Sequence, residues 1–163
     1  MKKRVLCYGD SNTWGCMPGP GDRYPEDVRW TGILQQLLGE GYVIIEEGYN
    51  GRTLVYDDPI EQRLSGLTYF RPCVESQSPL DLIIIALGVN DLKPRFGLSA
   101  GSIAGGLDRY FAELQTIPLH GSDPKVLSHD CVGWQAQVNR DRVIAVMFRA
   151  RSEGLGGNSE WTP

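Results

Sequence analysis

Residues 81–87 of the chain, DLIIIAL, give the strongest strand signal in the sequence. The run is apolar at successive positions, so it presents hydrophobic side chains to both faces of a sheet. Strands buried on both faces are typical of parallel sheets that helices cover on each side. The stretch therefore predicts a central parallel strand, and the residues that follow it, 88-GVND-91, should lie at its carboxyl end.

Helix and strand patterns alternate along the rest of the chain. Further strands are predicted at three runs rich in strand-forming residues: 4–8, 42–46 and 124–127. Helices are predicted where apolar side chains recur at intervals of three and four, over residues 27–38 and 102–115. Strands that alternate with helices in this way form a doubly wound α/β domain. We therefore expect residues 1–163 to form a single domain, a three-layer α/β/α sandwich around a central parallel sheet.

The helix predicted at residues 27–38 is expected to bury one apolar stripe. The stripe consists of Trp30, Ile33, Leu34, Leu37 and Leu38. Gly39 and Gly41 follow it and are suited to ending the helix. Residues 48–66 are polar and predict a long loop, and no further element is predicted between that loop and the strand at 81–87.

Composition and charge exclude several classes of partner. The 163 residues suffice for one domain, and the net charge of −4 without a basic block disfavours nucleic acid. No apolar run approaches the roughly 18 residues that span a bilayer. The apolar run near the N-terminus is also too short for a signal peptide. We therefore expect a cytoplasmic protein with no membrane partner.

The four cysteines show no spacing typical of a metal site. They are scattered without a C-x-x-C pair, and the chain has only two histidines to complete a ligand set: the cysteines are Cys7, Cys16, Cys73 and Cys131. We expect four reduced thiols, of which two or more are buried, and no metal or other cofactor.

Three predicted loops share one edge of the sheet. In a doubly wound fold, ligands bind at the carboxyl ends of the strands. The loops that leave those ends combine glycine with small hydrogen-bonding side chains: residues 9–12 (GDSN), 48–53 (GYNGRT) and 88–91 (GVND). Each loop alone is typical of an ordinary turn. Their common position favours a site over three unrelated turns.

Ser11 in the first loop is a candidate nucleophile. A serine needs a base to take its proton and donors to stabilise the oxyanion that forms on attack. The N–H of Ser11, the N–H of Gly51 and the side-chain amide of Asn90 are candidate donors, since glycine allows a close approach of the backbone. A nucleophile with three such donors fits acyl transfer. In the alternative interpretation, Asn90 and Asp91 only cap the segment that follows them.

These motifs resemble blocks I, II and III of the GDSL/SGNH hydrolases, in the order Gly9-Asp10-Ser11, Gly51 and 88-GVND-91. The stretches YGDSNTWG, DVRWTGIL, IEEGYNGRT and PLDLIIIALGVNDLK resemble the arylesterase and acyltransferase branch more closely. The likeness runs from about residue 3 to residue 127. It implies a flavodoxin-like fold and a serine hydrolase that cleaves small acyl or aryl esters through an acyl-enzyme. It also implies an ability to pass the acyl group to alcohols.

The resemblance assigns a role to each residue of these motifs. It implies that Ser11 is the nucleophile and that the Ser11 N–H, the Gly51 N–H and the Asn90 amide form an oxyanion hole. It places Asp10 and Trp14 at the substrate, with Trp14 as a wall of the acyl pocket, and packing in the core is the alternative for Trp14. The partners it implies are a small-molecule ester and other copies of the chain in a homo-oligomer.

The second loop extends over the whole polar segment 48–66. Three of its polar residues are expected to fasten that loop rather than to take part in catalysis: Arg52, Asp57 and Asp58.

The family's last block, Asp-x-x-His, has no counterpart in this sequence. In the family that histidine is the general base, and the aspartate orients it. Residues 128–163 are therefore predicted to be a divergent C-terminal segment, from a frameshift or a truncated gene, and the fold is expected to lack its final elements. His129, beside Asp130, is the candidate substitute base. A plain surface histidine is the alternative, and His120 is a weaker candidate.

Two alternatives to an active esterase follow. The first is a catalytically impaired chain that binds esters without turning them over. The second is an unrelated flavodoxin-like domain for a phosphorylated ligand. It is disfavoured because the first loop lacks a phosphate-binding run of serine, threonine and glycine.

Overall fold

The computed structural model of the protein describes residues 1–19, 21–63 and 65–118, together with the backbone of residues 125–129. Within these ranges four strands form one sheet: β1 (Lys3–Gly9), β2 (Tyr42–Gly48), β3 (Leu82–Ala86) and β4 (Lys125–His129). The strand order is β2-β1-β3-β4, and every neighbouring pair is parallel. The predicted parallel sheet is confirmed, and β3 occupies a central position, as the apolar run 81–87 indicates.

Helices cover this sheet on both faces: α1 (Ser11–Trp14), α2 (Trp30–Leu38), α3 (Gly66–Gln77) and α4 (Ala100–Leu114). On one face, α3 and α4 pack over side chains of β1 and β3 that include Leu6, Tyr8 and Ile83. On the other face, Glu46 is in register with Cys7 of β1. The Glu46 carboxylate accepts a hydrogen bond from Thr31 of α2, so α2 lies on the face opposite to α3 and α4. The predicted three layers are confirmed.

Three aromatic rings form the centre of the larger core. Phe70 meets Tyr8 and Tyr110 edge-on, with ring centroids 5.2 and 4.8 Å apart. Such pairs add about 0.5–1.5 kcal/mol beyond the area that they bury. Both phenols are satisfied, because Tyr8 donates to the carbonyl of Gly66 at 2.6 Å and Tyr110 donates to that of Leu54 at 2.8 Å. These bonds tie both ends of the segment 54–66 to the core.

Helix α3 corrects the prediction that no element lies between the second loop and β3. Pro72 lies inside the helix, where proline removes a main-chain donor and is usually read as a breaker. The buried residues Phe70, Cys73 and Val74 nevertheless have the spacing of one helical face. That spacing is the signal by which the helix could have been found.

The apolar stripe predicted for α2 is wrong at two positions. Ile33 is 43% exposed and Leu37 is 79% exposed, whereas the buried residues are Thr31 and Gly32. A Cβ at Gly32 would come within 1.8 Å of the carbonyl oxygen of Glu26. Because the backbone approaches so closely there, the small residues of α2 face inwards and part of the apolar stripe faces outwards. The helix begins at Trp30, three residues later than predicted, and ends at Leu38 as predicted, with Gly39 as its cap.

Two of the cysteines are buried in the structure. Cys7 and Cys73 are buried free thiols, as predicted, and Cys16 is partly exposed, whereas Cys131 lies outside the described residues. Burial raises the pKa of both Cys7 and Cys73 to about 12, so both stay protonated at neutral pH. None of the helices in the described ranges is long and apolar enough to cross a membrane.

We predict that a leucine-to-alanine substitution destabilises the protein much more in α4 than in α2. Leu107 of α4 is 4% exposed and Leu37 of α2 is 79% exposed. Leu107→Ala should lower the free energy of unfolding by about 2–5 kcal/mol, because it opens a cavity in the core. Leu37→Ala should change it by no more than about 0.5 kcal/mol. Urea unfolding of both variants measures the difference, and equal losses would contradict the described packing of α2 and α4.

Candidate active site

One row of register partners places the three predicted loops together. Gly9 of β1 is paired with Gly48 of β2 and with Ala86 of β3. Ala86 is in turn paired with His129 of β4. We call these four residues the edge row. Because all strands are parallel, the edge row marks the carboxyl edge of the sheet, and the predicted loops follow it directly.

Ser11 is the first residue of α1, which begins two residues beyond β1. At this position its N–H has no acceptor within the helix. The Asp10 carboxylate caps the helix by accepting the N–H of Asn12 at 2.9 Å. Gly9 is needed because a Cβ there would lie 2.0 Å from the Oγ1 of Thr13. The half-buried Ser11 is thus held at the start of a single, tightly packed helical turn.

Asp10 is only 2% exposed. Burial is the main influence on its carboxyl group and raises the pKa, against the effect of the hydrogen bonds from Asn12. The structure shows this carboxylate holding the turn. The substrate contact expected for Asp10 stays a prediction.

Gly51 lies in a turn of the second loop that is bonded to the first. Its φ of 78° falls in the left-handed region that favours glycine. The N–H of Arg52 donates to the carbonyl of Tyr49, and the N–H of Tyr49 donates to the carbonyl of Gly9, both at 3.1 Å. Neither Ser11 nor Gly51 donates its N–H to a main-chain acceptor in the described part of the chain. Both of these N–H groups are therefore available to a ligand.

Asn90 and Asp91 bind the second loop from the third. They begin a 3₁₀ turn, Asn90–Leu92, that follows β3. Asn90 Nδ2 donates to the carbonyl of Arg52 at 3.0 Å, and the Asp91 carboxylate accepts the N–H of Leu54 at 3.0 and 3.1 Å. A carbonyl can only accept, so it fixes which end of the Asn90 amide faces it. The second N–H of Nδ2 has no partner among the described residues and is available to a ligand oxygen.

Trp14 stands at the end of α1 and is fixed by Arg23. The Arg23 guanidinium lies 4.9 Å from the centre of the indole, and its Nε donates to the Trp14 carbonyl at 2.7 Å. Glu46 in turn binds Arg23 and Arg29. Trp14 is half-buried and does not belong to the core cluster of described residues. Its placement disfavours the core-packing alternative, and the role of Trp14 as a pocket wall stays a prediction.

The second loop is fastened by the polar residues that the sequence indicated. Asp57 accepts the N–H of Ser65 at 2.7 Å. The buried Asp58 binds Arg95 at 2.5 Å and Lys93 at 3.5 Å. Desolvation would raise the pKa of Asp58, yet the hydrogen bonds from Arg95 and from the N–H groups of Glu61 and Ile60 together outweigh it and hold that pKa at about 2. The Asp58 cluster therefore ties the second loop to the segment that follows the third.

His129, the candidate base, is the last residue of β4, whereas the strand predicted at 124–127 left it in the loop beyond the strand. Its backbone belongs to the edge row and lies two strand spacings, about 10 Å, from Gly9. Asp130, His120 and the rest of the predicted divergent segment lie outside the described residues. Within the ranges that the structure describes, no three His, Cys, Asp or Glu side chains are grouped to hold a metal ion.

Comparisons with known proteins find clear similarities. The sequence model of the GDSL-like lipase/acylhydrolase family matches residues 7–154. Est24, a carbohydrate acetylesterase from Sinorhizobium meliloti, is 44% identical with a TM-score of 0.74, over 78% of this chain and 63% of Est24. The aryl esterase of M. smegmatis is 42% identical with the same TM-score and the same two coverages. A comparison with the curated proteins gives no match.

The chain covers only part of the length of these relatives. The chain spans 63% of the length of both solved structures. The family model extends its match to residue 154, beyond residue 127, where the likeness was expected to fade.

We predict that Asp91 makes the protein less stable as the pH rises through the mildly acidic range. Burial raises the pKa of Asp91 to about 6, although the N–H of Leu54 opposes the shift. The folded state then holds a proton that the unfolded chain releases near pH 4. Stability therefore falls between about pH 4 and pH 6 and stays lower above that range.

Urea unfolding of the wild type and Asp91→Asn at several pH values tests this. The free energy of the wild type relative to the variant should fall by about 2–3 kcal/mol from pH 4 to pH 7. Asp58→Asn provides the contrast, because a carboxyl with a pKa of about 2 contributes constantly over that range and loses its effect only below about pH 4. A flat difference for Asp91→Asn would contradict the prediction.

Proposed function

Since this chain belongs to the GDSL-like lipase/acylhydrolase family, we propose that it hydrolyses small carboxylic esters at the carboxyl edge of its sheet. The observation that carries the proposal is the edge row, because the loops of the nucleophile and of its oxyanion donors all leave from it. The names of the two solved relatives, a carbohydrate acetylesterase and an aryl esterase, favour an acetyl-sized acyl group on a sugar or an aryl alcohol.

The chemistry that we assign to the site is acyl transfer through serine. The Ser11 Oγ attacks the ester carbonyl, its proton passes to a base, and the carbonyl oxygen becomes an oxyanion. The oxyanion binds the N–H groups of Ser11 and Gly51 and the free N–H of Asn90. The alkoxide then leaves with the proton, and water attacks the acyl-enzyme. An alcohol in place of water gives the acyltransferase reaction, and Trp14 serves as a wall for the acyl group.

The base that we assign to Ser11 is His129. Its support is the position of its backbone on the edge row. The alternative is that no group takes the proton, and the chain then binds esters without turning them over. Turnover, and not binding, separates the two hypotheses, because both use the same serine and the same donors.

Turnover of p-nitrophenyl acetate tests the nucleophile. We expect Ser11→Ala to lower the rate by about 10³-fold or more, and Asn90→Ala to lower kcat by about 10²–10³-fold. The matched control is Ser76→Ala, since Ser76 lies on the exposed side of α3 and should leave the rate unchanged. A wild type as slow as Ser11→Ala would eliminate the esterase proposal for this chain.

Labelling with a fluorophosphonate tests the base. His129→Ala should slow both the labelling of Ser11 and ester turnover, by on the order of 10⁴-fold. The wild-type rate should rise with pH as a histidine loses its proton, and the variant should lose that rise. Unchanged labelling in His129→Ala would remove His129 from the mechanism. His120→Ala, the other histidine of the chain, then shows whether His120 is the base.

A further inference from the structure

We propose that Arg52 is a positioning residue that holds the three oxyanion donors in one arrangement. The inference rests on the proposed function, because it concerns the same donors. Arg52 reaches the first and second loops through its side chain and backbone N–H, and the third through its carbonyl. No role in the site was predicted for it beyond fastening its own loop.

The side chain of Arg52 joins the ends of β1 and β2. It is buried, with an exposure of 5%, and its Nη1 donates to the carbonyl of Gly9 at 2.9 Å and to that of Glu47 at 2.6 Å. Gly9 stands two residues before Ser11, so this nitrogen fixes the point from which the nucleophile's turn starts. Glu47 stands next to the edge row on β2.

The backbone of Arg52 sets the other two donors. Its N–H closes the turn that contains Gly51, by donating to Tyr49, and its carbonyl accepts the amide of Asn90. A displacement of Arg52 therefore moves the Gly51 N–H and releases the Asn90 amide together. Arg52 is thus bonded to Gly9, Tyr49 and Asn90, one residue in each of the three loops.

The charge of Arg52 is held in an unusual way for a buried cation. Its guanidinium lies 4.2 Å from the centre of the Tyr8 ring, within the cation–π range, and 5.6 Å from that of Tyr49. It forms no ion pair with a carboxylate among the described residues. The charge of Arg52 lowers the pKa of the nearby Asp10 carboxyl, but no direct ion pair offsets the cost of burying the cation. That cost favours a role that needs the flat, multidentate guanidinium rather than its charge alone.

Kinetics of Arg52→Met and Arg52→Lys test the role. With p-nitrophenyl acetate we expect Arg52→Met to lower kcat by about 10–100-fold with KM within about twofold, because the donors act in the transition state. Arg52→Lys keeps the charge but not the planar, forked guanidinium, and its kcat should lie between those of the wild type and Arg52→Met. The control Arg71→Met removes an arginine of α3 that is bound to Glu75 and Glu113 and to none of the three donors, and it should keep its kcat.

A double-variant cycle asks whether Arg52 acts through Asn90. Arg52→Met combined with Asn90→Ala should lose at least fivefold less kcat than the product of the two single losses. A kcat for Arg52→Met within twofold of Arg71→Met would overturn the proposal, and so would losses that multiply fully.

A second measurement tests the role of Arg52 without relying on enzymatic activity. In nuclear magnetic resonance spectra, the Nδ2 protons of Asn90 should shift and exchange at least tenfold faster in Arg52→Met, while the N–H of Leu54, held by Asp91, keeps its protection. If the wild type shows no turnover, the proposed function fails, and these spectra still decide the role of Arg52. An unchanged Asn90 amide would overturn it. Arg52→Lys supplies the same readings if Arg52→Met does not fold.

Discussion

Parallel pairing of β1 with both of its neighbours is the constraint on which this molecule depends. β1 is bonded to β2 on one side and to β3 on the other, and helices cover both faces of the sheet, so β1 is buried and its end is level with the ends of its neighbours. The edge row is the result, and it brings loops that are far apart in sequence to one place. Close packing at that row then demands glycine. A Cβ at Gly48 would lie 2.1 Å from the Trp14 nitrogen, so a side chain there would displace α1.

The loops themselves are held by polar contacts rather than by apolar packing. Asp91, Asp58 and Arg52 are each buried, and each binds a group that belongs to another segment of the chain. Buried charges stabilise such an arrangement only while every partner stays in place. The same dependence makes the loops rigid, which a preorganised oxyanion site requires. The core supports them from below, because the phenols of Tyr8 and Tyr110 donate hydrogen bonds to the carbonyls of Gly66 and Leu54.

The sheet and the three loops could be predicted because their signals are local. The apolar run 81–87 is long enough to identify a buried strand, and glycine with small polar residues marks each loop. Helix α3 was not predicted, because Pro72 lies inside it and proline usually indicates a helix break. The buried face of α2 differs from the predicted one because of a close backbone contact at Gly32, which no hydrophobic pattern encodes. For the hydrogen bonds that hold the second loop, the sequence indicated some of the residues but not their partners. Their partners, such as Asp91 and Leu54, are 37 residues apart, and only the folded chain brings them together.

The ring of Tyr8 contacts both the hydrophobic core and the polar network that holds the loops. One part of it packs against Phe70 in the core, and the guanidinium of Arg52 rests over it beneath the loops. Protein engineers usually treat interior repacking and loop chemistry as separate problems. In this chain they meet at one aromatic side chain, so a library that varies the interior for thermostability should keep Tyr8 constant or vary it jointly with Arg52.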